Sequence, residues 1–217
     1  MKKLVFLLVI LLCIISNAKE FTKTEKKEVM KQFVIFQKAI QEKDVETLTG
    51  MMSFPLDEHS SLLLGKFTDL TDKTAGGINP YAVVPEDGIN KDLVVKYKEN
   101  VFKNLETLTL LKVDLNKNVI VSSVKSEVTP EDKAKKYYYD EDMESYYFYN
   151  EKKEKEYKNF CSHKVEGIFT DGILEVKYSV TPDKLTPKSQ NSCAYFESYY
   201  FKLDENVLKM YKTIAIP

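Results

Sequence analysis

From residue 195 to 216 apolar and polar side chains alternate with period two on either side of a short polar turn, Asp204-Glu205-Asn206. In the first run Tyr195, Glu197, Tyr199, Phe201 and Leu203 share one face; Phe196, Ser198, Tyr200 and Lys202 share the other. In the second run Leu208, Met210, Ile214 and Ile216 share a face that Lys212 interrupts, with Val207, Lys209, Tyr211, Thr213 and Ala215 opposite. Alternation rich in aromatic and β-branched residues predicts a half-buried antiparallel hairpin. Such a hairpin is not stable alone in water, so more strands or a helix must cover its apolar side. The chain is expected to organise around this ribbon.

Helical spacing dominates the first half. Thr22-Lys23-Thr24-Glu25 fits a capping box, and Val29, Phe33, Phe36 and Ile40 follow on one stripe, widened by Met30 and Val34. Asp44 suits the cap of a second helix, Val45 to Met52, and Phe54-Pro55-Leu56 returns the chain to extended backbone. Asn90 opens a third helix, about 91–105, with Leu93, Val94, Tyr97, Val101 and Leu105 inward. Between them, 57–89 reads as loops, with a short strand at Ser61 to Leu64. The predicted core is Phe33, Phe36, Ile40, Leu48, Tyr97, Val101, Val176, Tyr178, Phe201 and Ile214.

Strands are expected at 108–113, 119–124, 164–169 and 173–180. The last two flank Thr170-Asp171-Gly172, and Asp-Gly between alternating runs is a strong hairpin signal. Thr129-Pro130-Glu131-Asp132 starts a helix. The tyrosine-rich stretch after it reads either as helix or as helix then strand. The cluster reads either as a recognition surface, since tyrosine gives large contact area at low entropic cost, or as the half-exposed wall of a sheet.

Composition narrows the chemistry. Residues 1–18 carry Lys2 and Lys3, an apolar run from Leu4 to Ile15, then Ser16-Asn17-Ala18. That is the pattern of a secretory signal cut after Ala18, with an apolar run too short for a permanent span. Leu12 ahead of Cys13 argues against lipidation there. The expectation is a periplasmic or secreted chain with no stable membrane span after cleavage, residues 19–217 forming one domain. Losing Lys2 and Lys3 takes the formal charge from −1 to −3. All 32 basic residues are lysine. Without arginine's planar fork, nucleic-acid binding is disfavoured.

Two cysteines remain beyond the leader, Cys161 and Cys193, and in an exported chain they are expected to pair. Counting register through the 170–172 turn sets both at one sheet edge. A redox or metal role lacks a CxxC spacing, although His163 neighbours Cys161. Asp57-Glu58-His59 are adjacent and do not converge in helix or strand, and the acids at 140–142 lack a calcium-loop spacing. No metal and no cofactor are expected.

Three stretches carry a resemblance: FQKAIQEKDVETLTGMMSFPL (36–56), INKDLVVKYKENVF (89–102) and YYFKLDENVLKMYKTIAI (199–216). Together they resemble small exported bacterial members of the NTF2-like (cystatin-like cone) superfamily. The resemblance implies α+β architecture: a curved antiparallel sheet with three helices from the first half packed across it, a conical pocket, and 126–160 as an insertion. Many members carry a Trp after the last turn, where this chain has Leu208 or Met210. The superfamily holds isomerases, dehydratases, immunity proteins and binding modules, so it does not select a function.

Three readings follow. The first is an exported, non-catalytic binding domain for an unknown small molecule or envelope protein, supported by the absence of nucleophile, metal or phosphate-loop motifs and by the tyrosine content. The second is a small-molecule isomerase or dehydratase, which needs an inward carboxylate or His with a Tyr donor. Its candidates are His163 and Glu197, in a pocket drawn from Tyr97, Tyr178, Tyr195, Glu197 and Tyr199. The third is a periplasmic immunity or inhibitor protein, which no residue selects.

Overall fold

The computed structural model describes residues 20–57, 60, 63–64, 88–142, 145–157, 160–182, 193 and 195–216. Residues 1–19 with Cys13, Glu58 and His59, and most of 57–89 lie outside the described residues.

The fold is α+β with antiparallel sheets. Helix α1, Lys23–Glu42, starts at Thr22, whose hydroxyl accepts from Glu25 N–H while the Glu25 carboxylate accepts from Thr22 N–H. Helix α2, Val45–Gly50, is capped by Asp44, which accepts from Thr47 N–H at 3.0 Å. The helix predicted over 91–105 is two helices, α3 (Lys91–Lys96) and α4 (Lys98–Leu105), broken at Tyr97. A 3-10 turn, Glu106–Leu110, occupies most of the strand expected at 108–113, leaving β1 as Lys112–Asp114 only. Leu63 and Leu64 likewise lie in a helical turn, not a strand.

The expected 119–124 strand divides between two sheets. Strand β2, Val119–Val121, pairs with β1 as a small hairpin, and β3, Ser123–Ser126, joins the main sheet. Helix α5, Pro130–Ala134, begins at the Thr129 capping box. A second small sheet follows: β4 (Tyr138–Asp140), β5 (Ser145–Tyr149) and β6 (Lys155–Tyr157). The tyrosine-rich stretch is therefore a short helix followed by strands.

Four ten-residue strands make the body of the main sheet: β7 (Cys161–Thr170), β8 (Ile173–Pro182), β9 (Tyr195–Asp204) and β10 (Val207–Ile216). The order is β10-β9-β8-β7-β3. Both hairpin turns, Asp171-Gly172 and Glu205-Asn206, have two residues at positive φ, the turn form whose twist matches the flanking strands. Strand β9 is interior. Strand β10 is outermost and paired along its length; beyond it Ser53 N–H donates to Met210 O and Met210 N–H to Met51 O.

One irregularity in β10 matters for the site. Met210 pairs with Phe201 and Lys212 with Tyr200, so Tyr211 is an extra, bulged residue. A bulge shifts the alternation by one. Leu208 and Met210 therefore face the core, but past the bulge Thr213 and Ala215 do, and Ile214 turns to the other side opposite Ser198. This is why Lys212 seemed to interrupt an apolar face. It also corrects the placement of Ile214, which is only half-buried.

Helix α1 lies on the core face of this sheet. Phe33 and Phe36 meet Phe201 edge-on at 5.3 and 5.1 Å between centroids, and all three are fully buried. Polar side chains fix the docking. Gln32 accepts from Leu208 N–H at 2.6 Å and donates to Asn206 O at 2.9 Å. Buried Gln37 donates to the carbonyls of Leu108 and Leu111, both at 2.8 Å, tying the 3-10 turn to α1. Gly167 lets the β1–β2 hairpin approach β7: a Cβ there would meet Ile120 Cγ2 at 2.9 Å. Of the predicted core, Phe33, Phe36, Ile40, Leu48, Val101, Val176 and Phe201 are buried, whereas Tyr97 and Tyr178, like Ile214, are half-buried.

Candidate functional site

Register brings polar residues together at one end of the core face. Tyr178 lies opposite Glu197 and Val180 opposite Tyr195 across β8 and β9; His163 lies opposite Val180 across β7 and β8. With period-two alternation, His163, Tyr178, Tyr195, Glu197 and Tyr199 all face the helices. The cluster has two halves.

Glu197 is the centre of the first. One carboxylate oxygen accepts from the Tyr195 hydroxyl and the other from the Tyr199 hydroxyl, the latter at 2.6 Å. The Asn104 carbonyl stands 3.1 Å from the same Tyr199 hydroxyl. Asn104 is itself buried, its side chain donating to Leu63 O at 3.0 Å. Helix α4 thus seats Tyr199, and Tyr199 seats the carboxylate.

The second half is Glu127, His163 and Tyr178. Glu127 lies where the chain leaves β3. Its Oε2 accepts from Cys161 N–H at 3.0 Å, and its Oε1 is 2.9 Å from His163 Nε2. A carboxylate only accepts, so Nε2 carries the proton. His163 Nδ1 stands 2.7 Å from the Tyr178 hydroxyl, and with the proton on Nε2 alone it is the acceptor of that bond. The Tyr178 and Tyr195 rings meet edge-on at 6.5 Å, linking the halves.

Burial pushes the ionisation of Tyr195 and Tyr199 far above the ordinary phenol range, and the negative charge of Glu197 and the hydrogen bonds to it add to the shift. Tyr178 is also raised, by burial and then by the charges of Glu197 and Glu127. These phenols stay protonated and serve as donors. In the unfolded chain they ionise near pH ~10, so the stability they carry is complete below that pH and drains away as pH rises beyond it. The tyrosinate absorbance of this set is expected to appear together with loss of far-ultraviolet circular dichroism in an alkaline titration. Glu197→Gln should leave most of the delay, because burial is its largest cause. Ionisation of all fourteen tyrosines with the fold intact would refute this.

Little room adjoins Glu197. The cavity that touches it, also lined by Leu63, Asn104, Tyr199, Thr213 and Ala215, measures about 10 Å³, enough for one water. Of the five residues proposed for the pocket, Tyr178, Tyr195, Glu197 and Tyr199 are brought together. Tyr97 sits apart at the α3–α4 junction, with Lys96 Nζ 5.2 Å from its ring centre. Larger grooves are open ones: about 670 Å³ beside the exposed Lys43–Glu99 ion pair, and about 470 Å³ bounded by Tyr138, Phe148 and Tyr149. Among the described residues no three His, Cys, Asp or Glu side chains gather to hold a metal, and no helix is long and apolar enough to cross a membrane.

The second groove belongs to a separate feature, the β4–β6 sheet. Tyr138, Tyr147 and Tyr157 lie directly opposite one another across its three strands. Tyr149, Asp140 and Lys155 share their face. Tyr147 touches the rings of Tyr138, Tyr149 and Tyr157 at 5.6, 5.4 and 5.8 Å. Asp140 accepts from Lys155 Nζ and from the Tyr157 hydroxyl, each at 2.7 Å, and Lys155 Nζ lies 4.6 Å from the centre of the Tyr147 ring. On the opposite face Phe148 is buried against Tyr137, which packs on the fully buried Phe160. One face is anchored and the other shows tyrosine to solvent.

The predicted disulfide is present. Cys161 and Cys193 are bonded with Cα atoms 5.6 Å apart, at the end of the sheet where β7 begins and β9 is about to start. Cys161 itself lies opposite Pro182.

The chain matches no family model, no curated protein and no solved structure.

Proposed function

We propose that this chain is an exported, non-catalytic binding domain, an NTF2-like cone in which the insertion between β3 and β7 supplies the docking surface for a protein partner of the cell envelope. The observation that carries the reading is the solvent-facing tyrosine row on β4–β6. Tyrosine offers broad, stiff contact area with a polar tip, and protein interfaces are enriched in it. Mutual ring contacts and the Asp140 clasp hold the side chains in place before any partner arrives, lowering the ordering cost of binding. The bonded cysteines and the leader-like first residues support export. The long first helix across an antiparallel sheet supports the cone.

A photoreactive residue at position 149 should cross-link one envelope protein, which can then be purified. Tyr147→Ala is expected to weaken its binding about tenfold, the ~1.4 kcal/mol typical of a buried aromatic contact. Unchanged affinity in both Tyr147→Ala and Tyr138→Ala would overturn the reading.

A second reading rests on the Glu197 cluster: proton-transfer chemistry on a small molecule, with Glu197 as base and Tyr178 or Tyr195 as donor. Both Glu197 oxygens are already engaged by phenols and its cavity holds one water, so a substrate would have to displace a tyrosine. A small-molecule library that raises the melting temperature of the native chain but not of Glu197→Gln would favour it over the first.

A further inference from the structure

The tyrosine row has a chemistry that does not depend on what the face binds. A phenol loses an electron readily only if its proton can leave at the same time, so a hydrogen-bonded base marks the ring that oxidises first. Tyr157 has that base: its hydroxyl donates to Asp140 at 2.7 Å. Tyr157 is also 38 % exposed, within reach of an oxidant in solution. From it the rings run in contact, Tyr157 to Tyr147 at 5.8 Å and Tyr147 to Tyr138 at 5.6 Å. The last two are nearly parallel, 25° between planes, which sets their ring carbons side by side. The pair on the opposite face, Tyr139 and Tyr146, is close at 5.1 Å but has no carboxylate hydrogen-bonded to either hydroxyl among the described residues.

We propose that this row is a one-electron oxidation site, with Tyr157 as the entry point, Asp140 as its proton acceptor, and a Tyr138–Tyr147 dityrosine as the product. The co-reactant is a one-electron oxidant of the haem-peroxidase and hydrogen peroxide class. In the first turnover an electron passes from Tyr157 to the oxidant and the hydroxyl proton to Asp140. The resulting phenoxyl radical recovers an electron and a proton from Tyr147, which moves the radical along the row. The Tyr147 radical in turn draws an electron and a proton from Tyr138, and a second turnover at Tyr157 then leaves the second radical on Tyr147. A carbon–carbon bond then forms between ring positions ortho to the two oxygens. Each ortho hydrogen is released as a proton and a proton returns to each oxygen. The net change is two electrons to the oxidant, two protons to solvent by way of Asp140, and a chain two hydrogens lighter.

Treating the purified, disulfide-bonded chain with a haem peroxidase and hydrogen peroxide tests this. Cleavage at the acidic residues between positions 140 and 145 separates Tyr138 from Tyr147, so mass spectrometry reads the cross-link directly. The expected result is a single dominant intramolecular product joining these two residues, its yield per chain independent of protein concentration. Tyr147→Phe should abolish that product. Asp140→Asn should slow its formation severalfold while the far-ultraviolet spectrum is unchanged, and Tyr157→Phe should slow it to a similar degree. Three results would overturn the proposal: no dityrosine, a yield spread evenly over other pairs such as Tyr200–Tyr211, or an Asp140→Asn rate equal to that of the native chain. If Asp140→Asn disturbs the small sheet, Tyr157→Phe alone decides the entry point, since it keeps the ring and removes only the hydroxyl.

Discussion

Phe36→Ala is expected to lower unfolding stability by about 3–5 kcal/mol, the range for truncating a fully buried phenylalanine. Phe36 has no exposed surface and sits at the contact between the two main layers, edge-on to Phe201 of β9 and stacked beside Phe33 of the same helix. Removing the ring deletes its transfer free energy and leaves a cavity whose walls are the Phe33 and Phe201 rings. Those rings are held by neighbours on their other sides: Phe33 by the helix that Gln32 ties to the β9–β10 turn, Phe201 by pairing with both Leu174 and Met210. The site therefore has little freedom to collapse, which puts the loss toward the upper part of the range. Urea melts of the disulfide-bonded protein measure it through the transition midpoint at constant slope. A loss below about 1 kcal/mol would mean that the helix stripe does not rest on the sheet as described.

Much of this architecture is legible because its signals are local. The Thr22 capping box, the α1 stripe and the Asp171-Gly172 turn depend on residues a few positions apart, and the periodicity that marks them belongs to the backbone itself. The failures occur where tertiary contacts decide. The 3-10 turn at 106–110 replaces a strand because Gln37, about seventy residues away, draws in the carbonyls of Leu108 and Leu111. The 119–124 run divides between two sheets because Ile120 finds a seat over Gly167. The bulge at Tyr211 has no sequence cue beyond Lys212 in an apolar register, and that one cue was available.

The candidate site is half legible for the same reason. Tyr195, Glu197 and Tyr199 share a face by alternation alone, and Tyr178 joins them once the β8–β9 register is known. Glu127 and Asn104 could not be found this way: each reaches the cluster from another element, 36 positions from His163 in the first case and 95 from Tyr199 in the second. Thr213 lines the cavity only because the bulge turns it inward. For the small sheet the sequence shows the richness in tyrosine but not which of them share a face. The Asp140 clasp to Tyr157 and Lys155 needed the fold, because three strands must pair before residues 15 and 17 positions apart meet.

The second large effect is expected from the disulfide. In a Cys161→Ser, Cys193→Ser double variant, unfolding stability should fall by about 3–4 kcal/mol, the chain-entropy value for a closed loop of this length. The bond spans a sequence separation of 32 and encloses both β7 and β8. Without it, β9 must find its place beside β8 from a freer unfolded chain, and the cost falls chiefly on the unfolded state. The native arrangement has its own supports near the lost bond. Cys161 N–H donates to Glu127, Cys161 O accepts from Glu127 N–H, and β7, β8 and β9 stay paired. The serine variant should therefore keep the native far-ultraviolet spectrum and the inner-face tyrosine cluster while unfolding at lower urea, and dithiothreitol should bring the native chain to the same midpoint. A shift below about 1 kcal/mol would mean that the unfolded chain already holds these two ends together. Loss of the native spectrum without denaturant would instead place the bond among the conditions for folding, as in small secreted domains whose cores cannot suffice alone.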